Sequence, residues 1–203
     1  MSTEATKAET RRYRKRLRAE QELQTRQAIT EAAVKLHGTV GPAHTTVSGI
    51  AEEAGVQRAT VYRHFPDEES LFEACSGHYM SLHPPPDPSR WAEIADPADR
   101  LRETLLDVYR WWDETEEMMS RVIRDAPLVE TLSAQTRARL AFFDQIPAIL
   151  MRGGGLRGKR RARVEAAIGH ALALATWQSL VRAQGLTNPD AVDLMSGMVE
   201  RAS

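Results

Sequence analysis

The sequence predicts an all-α chain made of a small N-terminal domain and a larger C-terminal one, and three observations carry that expectation. Apolar residues recur at i, i+3, i+4 and i+7 along most of the 203 residues, the spacing of a single buried helix face. Glycines and prolines gather largely between those periodic stretches, where they stop one helix and start the next. The run His83-Pro84-Pro85-Pro86-Asp87-Pro88 cannot continue a helix, because proline lacks the amide donor and its ring clashes with the preceding turn. It marks a domain junction. The organisation expected is a basic arm over residues 1–20, a three-helix domain over 21–66, a connecting helix over 67–82 and a helical domain over 83–203.

Taken in order, Ala28, Ile29, Ala32, Ala33 and Leu36 predict the first helix by their one-sided spacing. Thr45 or Thr46 supplies an N-cap hydroxyl for a second, short helix on which Val47, Ile50, Ala51 and Ala54 form the apolar stripe. Gly55 ends it, since glycine takes the left-handed conformation of a helix C-terminus without a steric penalty, and Val56 behind it plugs the angle. In the third helix, Gln57 to Phe65, the residues Ala59, Val61, Tyr62 and Phe65 give apolar surface. Gln57, Arg58, Thr60, Arg63 and His64 give hydrogen-bonding groups. Two short helices joined by a tight turn form a helix-turn-helix, whose second helix can lie in a DNA major groove. The same pattern also occurs in bundles that never meet DNA.

The segment IAEEAGVQRATVYRHFPDEESL, Ile50 to Leu71, resembles the N-terminal signature of the TetR family of bacterial regulators. The matching positions are Thr46, Val47, Ile50, Ala51, Ala54, Gly55, Val56, Ala59, Thr60, Val61, Tyr62, His64, Phe65, Glu69 and Leu71. The resemblance spans about residues 25 to 72, and the remainder resembles the family only in length and helical character. On this reading Gln57, Arg58 and Arg63 make base or mixed contacts, and Thr46, Thr60, Tyr62 and His64 contact phosphate. Two positions depart from the family pattern. Glu68 stands where a lysine is usual, within Asp67-Glu68-Glu69, which instead suits the start of the next helix. Gln57 replaces a more usual serine and either reads adenine or is simply solvated.

Charge is distributed unevenly. The chain carries a net −1, yet up to Pro66 eleven basic residues stand against seven acidic ones, leaving this part at +4. A basic end on an acidic body focuses affinity for phosphate without making the whole surface adhesive. The run from Arg11 to Arg18, with Arg12, Arg14 and Arg16 at its centre, is either a solvated extension or an arm that tracks the DNA backbone or enters a minor groove. The single Cys75 excludes an intramolecular disulfide, and the charged N-terminus lacks the apolar core of a signal peptide. A cytoplasmic protein without membrane segments is expected.

Beyond Phe65 helices continue. Leu71, Phe72, Cys75, Tyr79 and Leu82 form the stripe of the connecting helix, and a short piece surrounds Trp91. Asp96-Pro97 provides a cap and a first-turn proline for a helix bearing Leu101, Leu105, Val108 and Trp112. Another is expected from near Pro127 to about Arg152, kinked or split at Pro147, followed by the break Gly153-Gly154-Gly155. Gly153 to Lys159 fits the spacing of a phosphate-binding loop, but Arg160 replaces the magnesium-binding Ser or Thr and a helix rather than a strand leads in. A basic linker is the better reading. The last two helices are expected over about Arg161 to Gln184, stopped by Gly185, and from Asn188-Pro189 onward.

Both final helices are apolar over more than one face, which suggests deep burial or a second chain. The resemblance implies a homodimer, and the expected dimerisation residues are Ala173, Leu180, Val192, Met195 and Val199. A two-fold dimer implies a roughly palindromic operator in double-stranded DNA. Tyr109, Trp111, Trp112, Met119, Phe143, His170 and Trp177 are the candidates for a mostly apolar effector pocket, although such residues at helical spacing are more often core. Catalysis has little support. No cofactor is indicated; the six histidines form no H-x-x-x-H pair, and Cys75 with His78 supplies too few ligands for a metal. The function expected is a DNA-binding regulator, a repressor released by a small hydrophobic molecule. The alternatives are a ligand-responsive helical interaction module that does not bind DNA, and a helical small-molecule-binding enzyme.

Overall fold

The computed structural model describes residues 2–129, 143–153 and 155–203. The described elements are α1 (Ser2–Thr39), a 3-10 turn (Pro42–His44), α2 (Val47–Glu53), α3 (Arg58–His64), α4 (Glu68–Leu82), α5 (Pro88–Ala92) and α6 (Pro97–Asp125). They continue with α7 (143–150), α8 (Gly158–Leu172), α9 (Leu174–Trp177), a π-type turn (Gln178–Ala183) and α10 (Asn188–Ala202). Among the described residues there is no strand. The chain forms two compact units, Met1–Tyr79 and Met80–Ser203, and the division falls inside α4 rather than at the proline run.

In the first unit, α1 contributes Ile29, Ala32 and Ala33 to a core completed by Ile50, Ala51, Val61, Phe65, Leu71 and Cys75. Thr46 caps α2, its Oγ1 accepting from the Gly49 amide at 3.0 Å. The α2 C-terminus closes as a Schellman motif: Gly55 has φ of +65°, its amide donates to Glu52 O, and the Val56 amide donates to Ala51 O at 2.9 Å. Asp67 opens α4 through the Ser70 amide at 2.7 Å. The basic run is not a separate segment. It is the first half of α1, which passes residue 20 without interruption.

In the second unit, α6 is the central helix, capped by Asp96 and started by Pro97. Its buried face carries Leu101, Leu105, Val108 and Trp112, as the stripe predicts, together with Tyr109, Trp111 and Met119. Trp91 of α5 is buried against it and donates to Asp107 at 3.0 Å. Of the helix expected from Pro127 to Arg152, residues 130–142 lie outside the described residues, and Pro147 sits within α7.

One expectation is corrected by this unit. The helix predicted from Arg161 to Gln184 is broken at Ala173, whose φ of −68° and ψ of 136° are extended. An unbroken helix would use the carbonyls of Ala171 and Leu172 internally. Instead Tyr109 OH donates to Ala171 O at 2.9 Å and Trp112 Nε1 donates to Leu172 O at 3.0 Å, both in buried surroundings. Two buried donors on α6 need acceptors, and the break supplies them. A further observation bears on the residues expected at a dimer contact. Val192, Met195 and Val199 are 0, 6 and 5% exposed within the single chain, packed into its own core. Ala173 and Leu180 are half-buried.

Candidate nucleic-acid interface

The α2–turn–α3 unit holds a polar face over an apolar one. Val61 and Phe65 are 1% exposed and anchor α3 to the core, whereas Gln57, Arg58, Tyr62 and Arg63 are exposed, and Thr60 and His64 half-buried. Alternation of this kind follows from a seven-residue helix lying flat on a small core: one face is used for packing and the other is left to solvent. Thr46 is exposed at the start of α2. Its oxygen is occupied as an N-cap acceptor, so its hydroxyl hydrogen remains to donate.

Arg58 and Tyr62, one turn apart, form a pair. The Arg58 guanidinium donates to the Tyr62 hydroxyl at 3.0 Å and lies 5.5 Å from the ring centre. The hydroxyl proton of Tyr62 is thereby left to donate outward. Burial lowers the His64 imidazole from its ordinary value, and the neighbouring Arg63 and Arg26 charges push the same way while Glu22 opposes them. The neutral imidazole is thereby favoured, able to donate or accept according to tautomer.

One residue that sequence reasoning missed is Arg26 on α1. Its guanidinium donates to the His64 carbonyl at 2.6 Å, at the C-terminus of α3, and stacks over the Phe65 ring at 4.0 Å. It satisfies a carbonyl that the helix end leaves open and complements the negative pole there. No local pattern announces a partner 38 residues away. Lys35 likewise ties α1 to α2 through Glu53 at 2.6 Å. Cys75, considered with His78 for a metal, instead donates to Phe72 O at 3.2 Å and meets His37 Nδ1 at 3.5 Å. Among the described residues there is no group of three or more His, Cys, Asp or Glu suited to a metal ion, and no helix is long and apolar enough to cross a membrane.

In the second unit a cleft of about 790 Å³ is bordered by Trp112, Phe143, Pro147, Leu172, Leu174 and Ala175, with Ser120, Arg124, Asp144, Glu165 and Gln178 as polar groups. Trp112 and Phe143 stack with planes 6° apart. Of the residues expected at a pocket, these two border this cleft. Tyr109, Trp111, Met119 and Trp177 do not; they are buried in the core. Trp177 Nε1 donates to Asn188 at 2.9 Å, and Trp111 Nε1 to the His83 carbonyl at 3.2 Å. His170 is exposed and 3.4 Å from Thr176 Oγ1. The break at Ala173 forms part of the cleft wall, so the hydrogen bonds that hold the break also shape the cleft. A π-type turn closes the unit: Arg182 bonds Asp113 and Glu116 of α6 at 2.6 and 2.8 Å and stacks over Trp177.

A family model described as bacterial regulatory proteins, tetR family, matches residues 29–75, the same segment that forms the core and polar face above. The HTH-type transcriptional regulator TtgR of Pseudomonas putida is 36% identical over 94 residues, which are 44% of this chain and 43% of that one. The match thus spans less than half the length of this curated relative. Among solved structures, a TetR family transcription regulator from Marinobacter aquaeolei aligns with a TM-score of 0.61 at 19% identity, covering 91% of this chain and 97% of the other. NalD of Pseudomonas aeruginosa, the secondary repressor of the MexAB-OprM multidrug efflux pump, aligns at 0.59 with 22% identity, covering 90 and 96%. At these identities the likeness is one of fold.

Proposed function

We propose that the chain is a member of the TetR family of bacterial regulatory proteins, a transcriptional regulator that reads a palindromic operator as a homodimer and releases it on binding a small hydrophobic molecule. The observation that carries the reading is α3, anchored underneath by Val61 and Phe65 while Gln57, Arg58, Tyr62 and Arg63 remain exposed. Gln57, Arg58 and Arg63 are the base-reading or mixed contacts, and Thr46, Thr60, Tyr62 and His64 the phosphate contacts. One short helix reads only a few base pairs. A two-fold partner doubles the contacts and sets the half-site spacing.

Since Val192, Met195 and Val199 are used inside the chain, the dimer contact is assigned to the faces of α8 and α10 that remain open. Leu194 is 49% exposed, Met198 half-buried, and Ala166 and Gly169 lie on the outer side of α8. The effector site is the cleft beside Trp112 and Phe143, whose volume falls in the range of small-molecule pockets. A ligand there acts only if it binds the DNA-incompetent arrangement better, by a coupling of about 1–3 kcal/mol.

Selection of bound duplexes from a random pool, followed by affinity of the enriched site at two salt concentrations, tests this directly. A palindrome with steep salt dependence is expected; no enrichment at low salt by folded, dimeric protein refutes it and favours the interaction-module reading. On the enriched site Tyr62→Phe should weaken binding across sequences. Arg58→Ala should also relax preference at one operator position, by about 1–3 kcal/mol, and an equal loss on all DNA removes its base-reading role.

A further inference from the structure

The first half of α1 is helical and carries its charge in a definite phase. From residue 9 to residue 24 every side chain is exposed, so this part of the helix packs on nothing in its own unit and, at about 1.5 Å per residue, projects by more than about 20 Å. Arg11, Arg14, Lys15 and Arg18 fall at i, i+3, i+4 and i+7, one stripe along the helix. The same stripe continues through Glu22 to Arg26 at further steps of four residues. Arg26 bonds the His64 carbonyl and stacks on Phe65, and the Glu22 charge acts on the His64 imidazole. The cationic stripe is therefore on the side of α1 that faces the recognition helix. Tyr13 and Leu17 lie on the opposite side. Arg12 falls at the margin of the stripe; Arg16 lies further round, pairs with Glu20 at 3.5 Å and sits 5.9 Å from the Tyr13 ring. Among the described residues Arg11, Arg14, Lys15 and Arg18 make no ion pair.

We infer that the projecting half of α1 is a phased, helical extension of the DNA interface, in which Arg11, Arg14, Lys15 and Arg18 contact phosphates flanking the half-site read by α3. Duplex DNA is the occupant that fits: the stripe is cationic, it is continuous with the recognition surface, and Arg26 registers it against α3. Contacts to phosphate carry no sequence information, so the contribution is affinity and salt dependence without sequence preference. Arg12 and Arg16, central to the basic run in the sequence, play a lesser part because of their helical phase.

This rests on the operator-reading function proposed above, and the test separates the two. Two charge-matched variants, Arg14→Gln with Arg18→Gln and Arg12→Gln with Arg16→Gln, are compared with the unaltered chain on the selected operator across a salt series. Each lost phosphate contact flattens the plot of log affinity against log salt by about 0.9. The stripe pair should flatten it by about 2 per protomer, and the off-stripe pair by less than about 1. Two alanines inserted between Ala19 and Glu20 turn the stripe by about 200°, whereas four return it to within about 40°. The two-residue insertion should reproduce the stripe variant and the four-residue one should restore most of the slope, with helical content checked by circular dichroism. Equal slopes for both charge pairs, or indifference to the insertions, overturns the phased helix while leaving operator reading intact. Binding of the unaltered chain to anionic phosphatidylserine vesicles, lost in the stripe variant while its operator slope is unchanged, assigns the stripe to a membrane surface and overturns it too. If the unaltered chain binds no DNA, the inference falls together with the function.

Discussion

Replacing Tyr109 by phenylalanine should destabilise the second unit by about 1–3 kcal/mol, although no apolar group is removed. The hydroxyl donates to Ala171 O at 2.9 Å, and Tyr109 is 0% exposed. Water has no access to the carbonyl once the hydroxyl is gone, so the cost is that of leaving a buried acceptor without a partner rather than the smaller net worth of an average hydrogen bond. Removal of the Trp112 donor, by Trp112→Phe, should cost at least as much, since Leu172 O loses its partner at 3.0 Å and the smaller ring leaves space beside Phe143. The two are expected to be non-additive by about 0.5 kcal/mol or more, because both carbonyls are exposed by one backbone break. Tryptophan fluorescence during urea unfolding is the assay of choice: Trp91, Trp111, Trp112 and Trp177 all lie in the second unit, so the signal reports that unit alone. A loss below about 0.5 kcal/mol for Tyr109→Phe would show that the break at Ala173 does not depend on donors from α6. The broken helix would then need a different physical cause.

Three further outcomes concern the first unit. Arg26→Met keeps the aliphatic stack on Phe65 but loses the hydrogen bond to His64 and the cation–ring contact; a loss of about 1–2 kcal/mol in stability is expected, with weaker binding to every DNA sequence, and unchanged operator affinity would refute its positioning role. His64 is held below its ordinary value of 6.5 chiefly by burial, so the unfolded chain takes up the proton first on acidification. Its contribution to stability is present above about pH 6.5 and is lost as pH falls through the lower folded value; urea titrations of wild type and His64→Gln between about pH 7.5 and 5 should show a shallower acid decline in the variant. Gly55→Ala forces an alanine to φ near +65° at the end of α2, for a cost of about 1 kcal/mol read as a lowered thermal midpoint; no change would mean the turn relaxes.

What the sequence by itself determined was everything that depends on neighbours within about a turn. Thr46, Gly55, Asp96 with Pro97, and Gly185 announce helix ends because capping and left-handed turns are local chemistry. The stripe Val47, Ile50, Ala51, Ala54 announces the face of α2, and the signature from Ile50 to Leu71 lies within the segment that matches the tetR family model. Only the tertiary structure decided which of the apolar residues are spent inside one chain. Val192, Met195 and Val199 look alike in sequence whether they meet α6 and α8 or a second protomer, since periodicity identifies a buried face and never what covers it. The same limit applies to Tyr109, Trp111 and Trp177, whose size suits a pocket or a core, and whose hydrogen bonds to Ala171, His83 and Asn188 place them in the core. The break at Ala173 was illegible because alanine favours helix locally, and it is overruled by two donors some 60 residues away. Arg26 was illegible for the converse reason: an exposed arginine has no pattern of its own, and its partner is brought to it only by folding α3 against α1.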